Sequence, residues 1–328
     1  MVISPHVIIS EEVVFQNNHK VWRKQMIERR KALILLNASA GTGRAGLNTW
    51  TIIKKFAENG YESIVYPIIP GTDLVGETLV TRYEGTVDII LCSGGDGTLN
   101  HVIQGVMRMK KKPRIAYLPS GSTNDFAKTL GIPAEFDKAL DLIIRGKEYL
   151  YDVGKLNGSY FNYVAAFGAF SAISYDTDQQ LKNILGHAAY IVNAVSDLYE
   201  NMRFSRHIRI ESDDFSLEDD FIFGAVCNSA YVGGFSIFKN LDVSLDDGKM
   251  EMLLIKTPGT AADMQGILNA FQRGTFDHPF ITFRHISKVR FSSSEAIAWT
   301  IDGEFGGSFT DAEILVECQA VPIILGNS

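Results

Sequence analysis

The chain has 328 residues, about twice a common single-domain length, and 46% of them are hydrophobic against 21% charged, which excludes a chain disordered throughout and supplies a sizeable core. Thirty-one Lys and Arg against 38 Asp and Glu give a net charge of −7, so no chain-wide attraction to nucleic acid is expected and any polyanion site must be local. The three cysteines, Cys92, Cys227 and Cys318, form no CxxC pair, which argues against a disulfide framework or structural zinc and favours a reducing, cytoplasmic setting.

Residues 1–30 read as an extension: six basic side chains between Lys20 and Lys31 face three acids, and residues 19–31 could form a short helix with Trp22 and Met26 on one face. That helix could touch an anionic membrane or dock on its own protein. Glu11 and Glu12 stand where a signal cleavage site would fall, so no secretory signal is expected, and no run approaches the roughly 18 apolar residues of a membrane span. From Lys31 the pattern is strand, glycine turn, helix, strand: an apolar run at 32–36, a helix near 47–58 and a β-rich run at 61–69. A helix near 74–82, a strand at 87–92, a helix near 99–109 and a strand at 114–118 repeat it. This predicts a parallel sheet whose ligand binds at the carboxyl ends of the strands. After residue 150 short alternating segments predict antiparallel strands, interrupted by helices over 179–201 and 260–271. The acidic stretch 211–220 reads as a solvated hairpin turn. The predicted domains are 31–150 and 151–319.

Three turns at the same predicted edge carry polar chemistry. The first, Asn37-Ala38-Ser39-Ala40-Gly41, runs into a literal G-x-G-x-x-G, but Gly41 lies too far from the strand for a dinucleotide fingerprint, although Glu62 is at about the right distance. Its backbone N–H groups and hydroxyls suit a phosphate. The second, Ser93-Gly94-Gly95-Asp96-Gly97-Thr98-Leu99-Asn100, removes the Cβ groups that keep a phosphate chain off the backbone. Asp96 would repel bare phosphates unless a divalent cation stood between them. The third, Pro119-Ser120-Gly121-Ser122-Thr123-Asn124-Asp125, offers hydroxyls, with Asn124 or Asp125 placed to cap a helix. Downstream, Leu245-Asp246-Asp247-Gly248 and Asp302-Gly303-Glu304 have the composition of ordinary turns.

GGDGTLN, then PSGSTNDFAKTLGIP about 25 residues on, then LDDGKMEM and IDGE, in that order, resemble the diacylglycerol kinase catalytic family, which is similar also to sphingosine and ceramide kinases. The resemblance spans Lys31 to the C-terminus. It implies an N-terminal α/β nucleotide-binding domain with a parallel sheet, to which residues 320–328 return, and a C-terminal β-sandwich-like domain for the lipid. It further implies ATP and Mg²⁺ as cofactors, with Asn37, Ala38, Ser39, Ala40, Gly41, Gly94, Gly95, Asp96, Gly97, Thr98, Leu99, Asn100, Ser122 and Thr123 around the nucleotide. Glu304 is the implied general base. The resemblance also implies that Asp96 joins a metal network with Asp125 and Asp247, and that backbone carbonyls near Ser244 and Lys249 complete a structural magnesium site.

The implied reaction is transfer of the ATP γ-phosphate to a lipid hydroxyl in phospholipid biosynthesis, with diacylglycerol the first acceptor and a sphingoid base, ceramide or phosphatidylglycerol as alternatives. An NAD kinase would share GGDGT but not the GSTND turn, and a non-catalytic lipid- or nucleotide-binding protein would have no use for Glu304. The expected partners are a lipid at a membrane surface, reached by peripheral contact through the lead-in or the Lys110-Lys111-Lys112 cluster with Arg114, and a second copy in a homodimer. The strand near 163–170 and the segment 231–235 could line the lipid pocket or form sandwich core. One departure stands out: Asn37 is followed by Ala38 where the family commonly has Pro, which leaves the first turn without a fixed φ.

Overall fold

Five consecutive apolar residues at 32–36 suit a strand covered on both faces, and they form β1 (Arg30–Leu36) with all five buried. It lies between β2 (Tyr61–Pro67) and β3 (Ile89–Gly94), with β4 (Arg114–Pro119) beyond β3, all parallel in the order β2-β1-β3-β4. The structure, a computed structural model, describes residues 29–37, 48–69, 72, 74–168, 205–232, 235–236 and 243–326. The basic lead-in, the first glycine turn beyond Asn37 and the expected helix over 179–201 lie outside the described residues. Helices α1 (Thr49–Glu58), α2 (Gly76–Thr81), α3 (Asp96–Met107), α4 (Asp125–Thr129) and α5 (Phe136–Arg145) link and flank the strands. Because every strand in this group runs the same way, the residues that follow β1, β3 and β4 emerge at one edge.

The second half is antiparallel. β5 (Lys147–Leu156), β6 (Ser159–Phe161) and β7 (Val164–Gly168) lead to β8 (Arg206–Ser212) and β9 (Ser216–Cys227), followed by the small β10 (Tyr231–Val232) and β11 (Phe235–Ser236) pair. Then come β12 (Met250–Lys256), α6 (Ala261–Arg273), β13 (Ile281–Ile286), β14 (Lys288–Ile301) and β15 (Glu304–Leu325). Both β9 and β14 pair with β7 at one end and β8 at the other, so the sheet folds back on itself. Inside the fold Trp299 packs edge-on against Phe167 and Phe291, at centroid distances of 4.8 and 5.0 Å. Each fully buried phenylalanine contributes roughly 1.5–3 kcal/mol. The acidic stretch is a hairpin, as its composition suggests, but Glu211 ends in β8 and residues 216–220 already belong to β9.

One strand joins the halves. β15 pairs with β14 along its first half, from Glu304 to Leu315, with β5 along its second half, from Ile314 to Leu325, and with β4 in parallel at Ile323↔Ile115. Its register on β5 shifts between Glu317 and Val321, where Gln319 has φ 47°, and Asp152 Oδ1 accepts the Gln319 N–H at 2.6 Å. That bulge is where the chain turns from the antiparallel half to the parallel sheet.

Candidate active site

The residues after β3 and β4 approach each other as closely as glycines allow. A Cβ on Gly121 would stand 2.6 Å from Gly95 Cα, and one on Gly94 would stand 2.5 Å from Thr98 Cβ. No side chain fits at either position. The Ser120 N–H donates to the Gly94 carbonyl at 2.8 Å, and Asn124, at φ 50°, braces the same turn by accepting from Gly121 N–H at 2.9 Å and donating to the Gly121 carbonyl at 2.8 Å. Asn37, at the end of β1, donates its Nδ2 to Thr98 Oγ1 at 2.8 Å, so all three turns are tied together. Ser122 and Thr123 are exposed beside them, whereas the Ser93 and Ser120 hydroxyls are buried without a protein hydrogen-bond partner. Glycines that a Cβ would clog, next to unsatisfied hydroxyls and the start of a helix, fit a nucleotide's phosphates.

Asp96 is placed differently from what its position in the turn suggests. The helix begins at Asp96 rather than near Leu99, because Gly95 already takes the extended conformation of an N-cap. The Asp96 side chain turns inward: Oδ2 accepts the Asp125 N–H at 3.0 Å, while Oδ1 accepts the Phe126 N–H at 3.3 Å and the Tyr117 hydroxyl at 3.4 Å. Burial pushes this carboxyl up to about 6, against the opposing pull of the two backbone N–H groups. It therefore fastens α4 and the third turn to the second.

The acids implied for metal do not gather into one centre. Asp125 sits with Asp96 and pairs with Lys128, Oδ1 to Nζ 3.1 Å. Ser244, Asp247 and Lys249 share a separate turn, in which Ser244 donates to Asp246, Lys249 N–H donates to Asp247, and Gly248 N–H donates to Asp152 at 2.6 Å. Among the described residues no three His, Cys, Asp or Glu side chains are grouped to hold a metal ion. Asp96 and Asp125 thus lie together beside the glycine turns, while Asp247 lies in the turn with Ser244 and Lys249.

Glu304 reaches the nucleotide edge from the sandwich. Asp302 (φ 48°) and Gly303 (φ 87°) form the turn between β14 and β15, and Asp302 is 4% exposed. Its Oδ2 accepts from Asn100 Nδ2 at 2.6 Å, Asn162 N–H at 2.7 Å and Asn162 Nδ2 at 3.1 Å, and its Oδ1 from the N–H groups of Tyr163 and Val164 at 3.0 and 3.1 Å. Burial raises this carboxyl and the donors pull it down. Asn100 is buried at this junction, where it also donates to the Tyr160 carbonyl at 3.2 Å. Gln104 adds a second tie, donating to the Tyr160 carbonyl at 2.5 Å and accepting its N–H at 3.1 Å. The next residue but one, Glu304, then lies along the first turn of α3. A Cβ on Gly97 would stand 2.8 Å from Glu304 Oε1, and Glu304 Oε2 is 3.4 Å from His101 Nε2.

Leu99 is core, and Thr98 is buried at the cradle. Ala38, Ser39, Ala40 and Gly41 lie outside the described residues. Sequence reasoning placed Asp302 in an ordinary turn and did not single out Asn162, Gln104 or His101. The 163–168 segment is buried sandwich strand, with Phe167 and Ala165 in its core; of 231–235, Tyr231 is half-buried and Gly233 and Gly234 lie outside the described residues.

Residues 31–156 match the model described as the diacylglycerol kinase catalytic domain, and residues 164–325 match that of the YegS C-terminal NAD kinase beta sandwich-like domain. A Bacillus subtilis diacylglycerol kinase is 29% identical over 282 residues, covering 85% of this chain and 91% of that one, and a Staphylococcus carnosus diacylglycerol kinase is 29% identical over 280 residues, covering 85% and 90%. The fold is similar to a crystal structure of a proposed diacylglycerol kinase from Bacillus anthracis strain Sterne, at TM-score 0.76 and 24% identity over 91% of this chain and 95% of that one. Fold and matched models define a two-domain kinase with an α/β domain and a β-sandwich-like domain. The chain carries the diacylglycerol kinase catalytic domain at residues 31–156 and is a lipid kinase.

Proposed function

We propose that this kinase transfers the γ-phosphoryl group of ATP, carried with Mg²⁺ as the substrate complex, to the free hydroxyl of diacylglycerol, giving phosphatidic acid. The observation that carries the reading is the placement of Glu304, delivered by a turn of the sandwich domain onto the first turn of α3 beside the glycine cradle. Phosphoryl transfer asks a protein for positioning and charge stabilisation more than for covalent chemistry. The N–H groups at Gly94 to Gly97 and the hydroxyls of Ser122 and Thr123 hold the phosphate chain at the helix start. Glu304 accepts the proton of the attacking hydroxyl. Magnesium on the nucleotide neutralises phosphate charge, and the Asp247 turn holds loop geometry at a distance from that event.

Diacylglycerol is the acceptor named for the 29% identical relatives. The lipid is taken from a membrane surface by peripheral contact from the cytoplasmic side. Among the described residues no helix is long and apolar enough to cross a membrane. Phe305, next to Glu304 and 64% exposed, is an apolar contact available to an acyl chain. The test is transfer of labelled γ-phosphate in mixed micelles, with diacylglycerol, sphingosine, ceramide, phosphatidylglycerol and NAD as parallel acceptors. Labelled phosphatidic acid is expected. Labelling of a different lipid would replace the acceptor, and labelling of NAD alone would replace the reaction.

A further inference from the structure

Glu304 is not alone at its end of α3. His101 follows Gly97 by four residues, so both lie on one face of the helix, and the Glu304 carboxylate spans them with one oxygen over Gly97 and the other 3.4 Å from His101 Nε2. Both side chains are open to solvent, at 44% for His101 and 55% for Glu304, whereas the neighbouring Asn100 and Asp302 are buried and fixed to each other. The backbone of the turn is therefore immobilised by Asp302 while the working carboxylate is held by an imidazole. Among the elements packed on α3, β15 contributes Glu304 at this end and α2 contributes Glu77, itself paired with Arg108, while β3 and β6 carry no Asp, Glu, Lys, Arg or His. Both acids favour the protonated imidazole and raise His101 above 6.5, Glu304 chiefly through the direct hydrogen bond.

We propose that His101 is the positioning residue and proton outlet for Glu304, an inference that rests on the reading of Glu304 as the base. As the acceptor oxygen bonds to the γ-phosphorus, the bond from that phosphorus to the β,γ-bridging oxygen breaks, leaving ADP, and the acceptor's proton passes to Glu304. The Glu304 carboxyl then returns it to neutral His101 Nε2, and the exposed ring releases it to water, restoring both groups for the next turnover. When His101 is already protonated it neutralises Glu304 and has no room for the proton. Turnover should therefore fall as pH drops through the raised His101 value.

The experiment is kcat and kcat/KM against pH for the wild type, His101→Gln and Glu304→Gln, joined to an NMR titration of the His101 ring. Glutamine keeps a donor beside Glu304 but does not titrate in this range. The wild type should show an acidic limb above pH 6.5, and His101→Gln should move that limb at least one pH unit lower, on the order of the gap between histidine and glutamate. Its kcat at pH 8 should fall with the KM for ATP unchanged. In Glu304→Gln the His101 ring should titrate closer to 6.5. An unchanged pH profile and kcat in His101→Gln would overturn the proposal, with a dead Glu304→Gln still supporting the base. An active Glu304→Gln would remove the base reading itself, and a His101 ring that titrates alike in both proteins would overturn the pairing.

Discussion

Glu251 shows how a single residue sets a pH response. It faces Cys227 on β9 and His285 on β13, is 2% exposed, and its Oε2 has no hydrogen-bond partner in the protein. Burial raises its carboxyl from 4.5 to about 8, with His285 Nε2 3.7 Å from its other oxygen. Below pH 4.5 the group is protonated both folded and unfolded. Between 4.5 and 8 the unfolded chain sheds a proton that the folded chain keeps, so stability falls as pH rises and the loss is complete above about 8. Glu251→Gln removes this loss: denaturant titrations should find the variant ahead of the wild type at pH 9, by on the order of a few kcal/mol, and nearly equal at pH 4.5. Parallel stability curves across that range would contradict the assignment. No such role was legible in KMEM, where the glutamate reads as an outward residue of an alternating strand. Only pairing on both sides, by β9 and β13, makes the site interior.

At the scale of elements, two junctions control the site. The first is the contact between the turns after β3 and β4. Gly121→Ala places a Cβ 2.6 Å from Gly95 Cα and 2.8 Å from Asn124 Oδ1, so the turns must part. A calorimetric titration should find ATP binding weakened by about tenfold or more, equivalent to ~1.4 kcal/mol, and an unchanged Kd would show that the turns do not hold the nucleotide. The second is the Asp302 junction. Asn100→Ala deletes a hydrogen bond to a buried carboxylate, a loss of about 1.5–3 kcal/mol in stability, and releases the turn that presents Glu304. Its kcat should fall further than its ATP affinity; equal losses in both would mean that Asn100 serves the nucleotide.

The glycine turns were legible because close backbone approach leaves glycine as its trace in the sequence. The resemblance implies the return of the last residues to the first domain; in the structure Ile323 of β15 pairs with Ile115 of β4. The junction was not legible. Asp302 looks like an ordinary turn residue until Asn162 and Asn100, 140 and 202 positions away, arrive on it. Lys288–Ile301 form one strand in spite of Ser292, Ser293 and Ser294, because β8 pairs with it at Ser292 and Ser293, where β15 loses register.

For the molecule as a whole, the sheet edge that carries the glycine turns sets the working face. α3 leads away from that edge for about 18 Å, so Lys110, Lys111 and Lys112 come at the opposite side, where Lys112 donates to the Ala320 carbonyl at 2.7 Å. A membrane held by that cluster would face away from Glu304. A surface lysine near an anionic bilayer is worth about 1 kcal/mol, so replacing Lys110 and Lys111 by Glu would cut activity on anionic vesicles severely if the contact lay there. The placement predicts kcat/KM on such vesicles close to that of the wild type, and a large drop would move the membrane contact to this edge. The domains themselves meet through polar ties, Asn100 to Asp302, Gln104 to Tyr160 and Thr129 to Ser229, and through a shared apolar core in which Phe126 stacks on Tyr163.

The central claim is that the sandwich domain supplies the base to a nucleotide held by the other domain. Its most direct test is a single comparison of kcat for diacylglycerol phosphorylation in the wild type and in Glu304→Gln at pH 8, with ATP affinity measured on both. The account predicts a fall of about 10²–10⁴-fold, the usual worth of a general base, with ATP affinity unchanged. A variant that keeps kcat within tenfold of the wild type, or that loses ATP binding in step with activity, would contradict it.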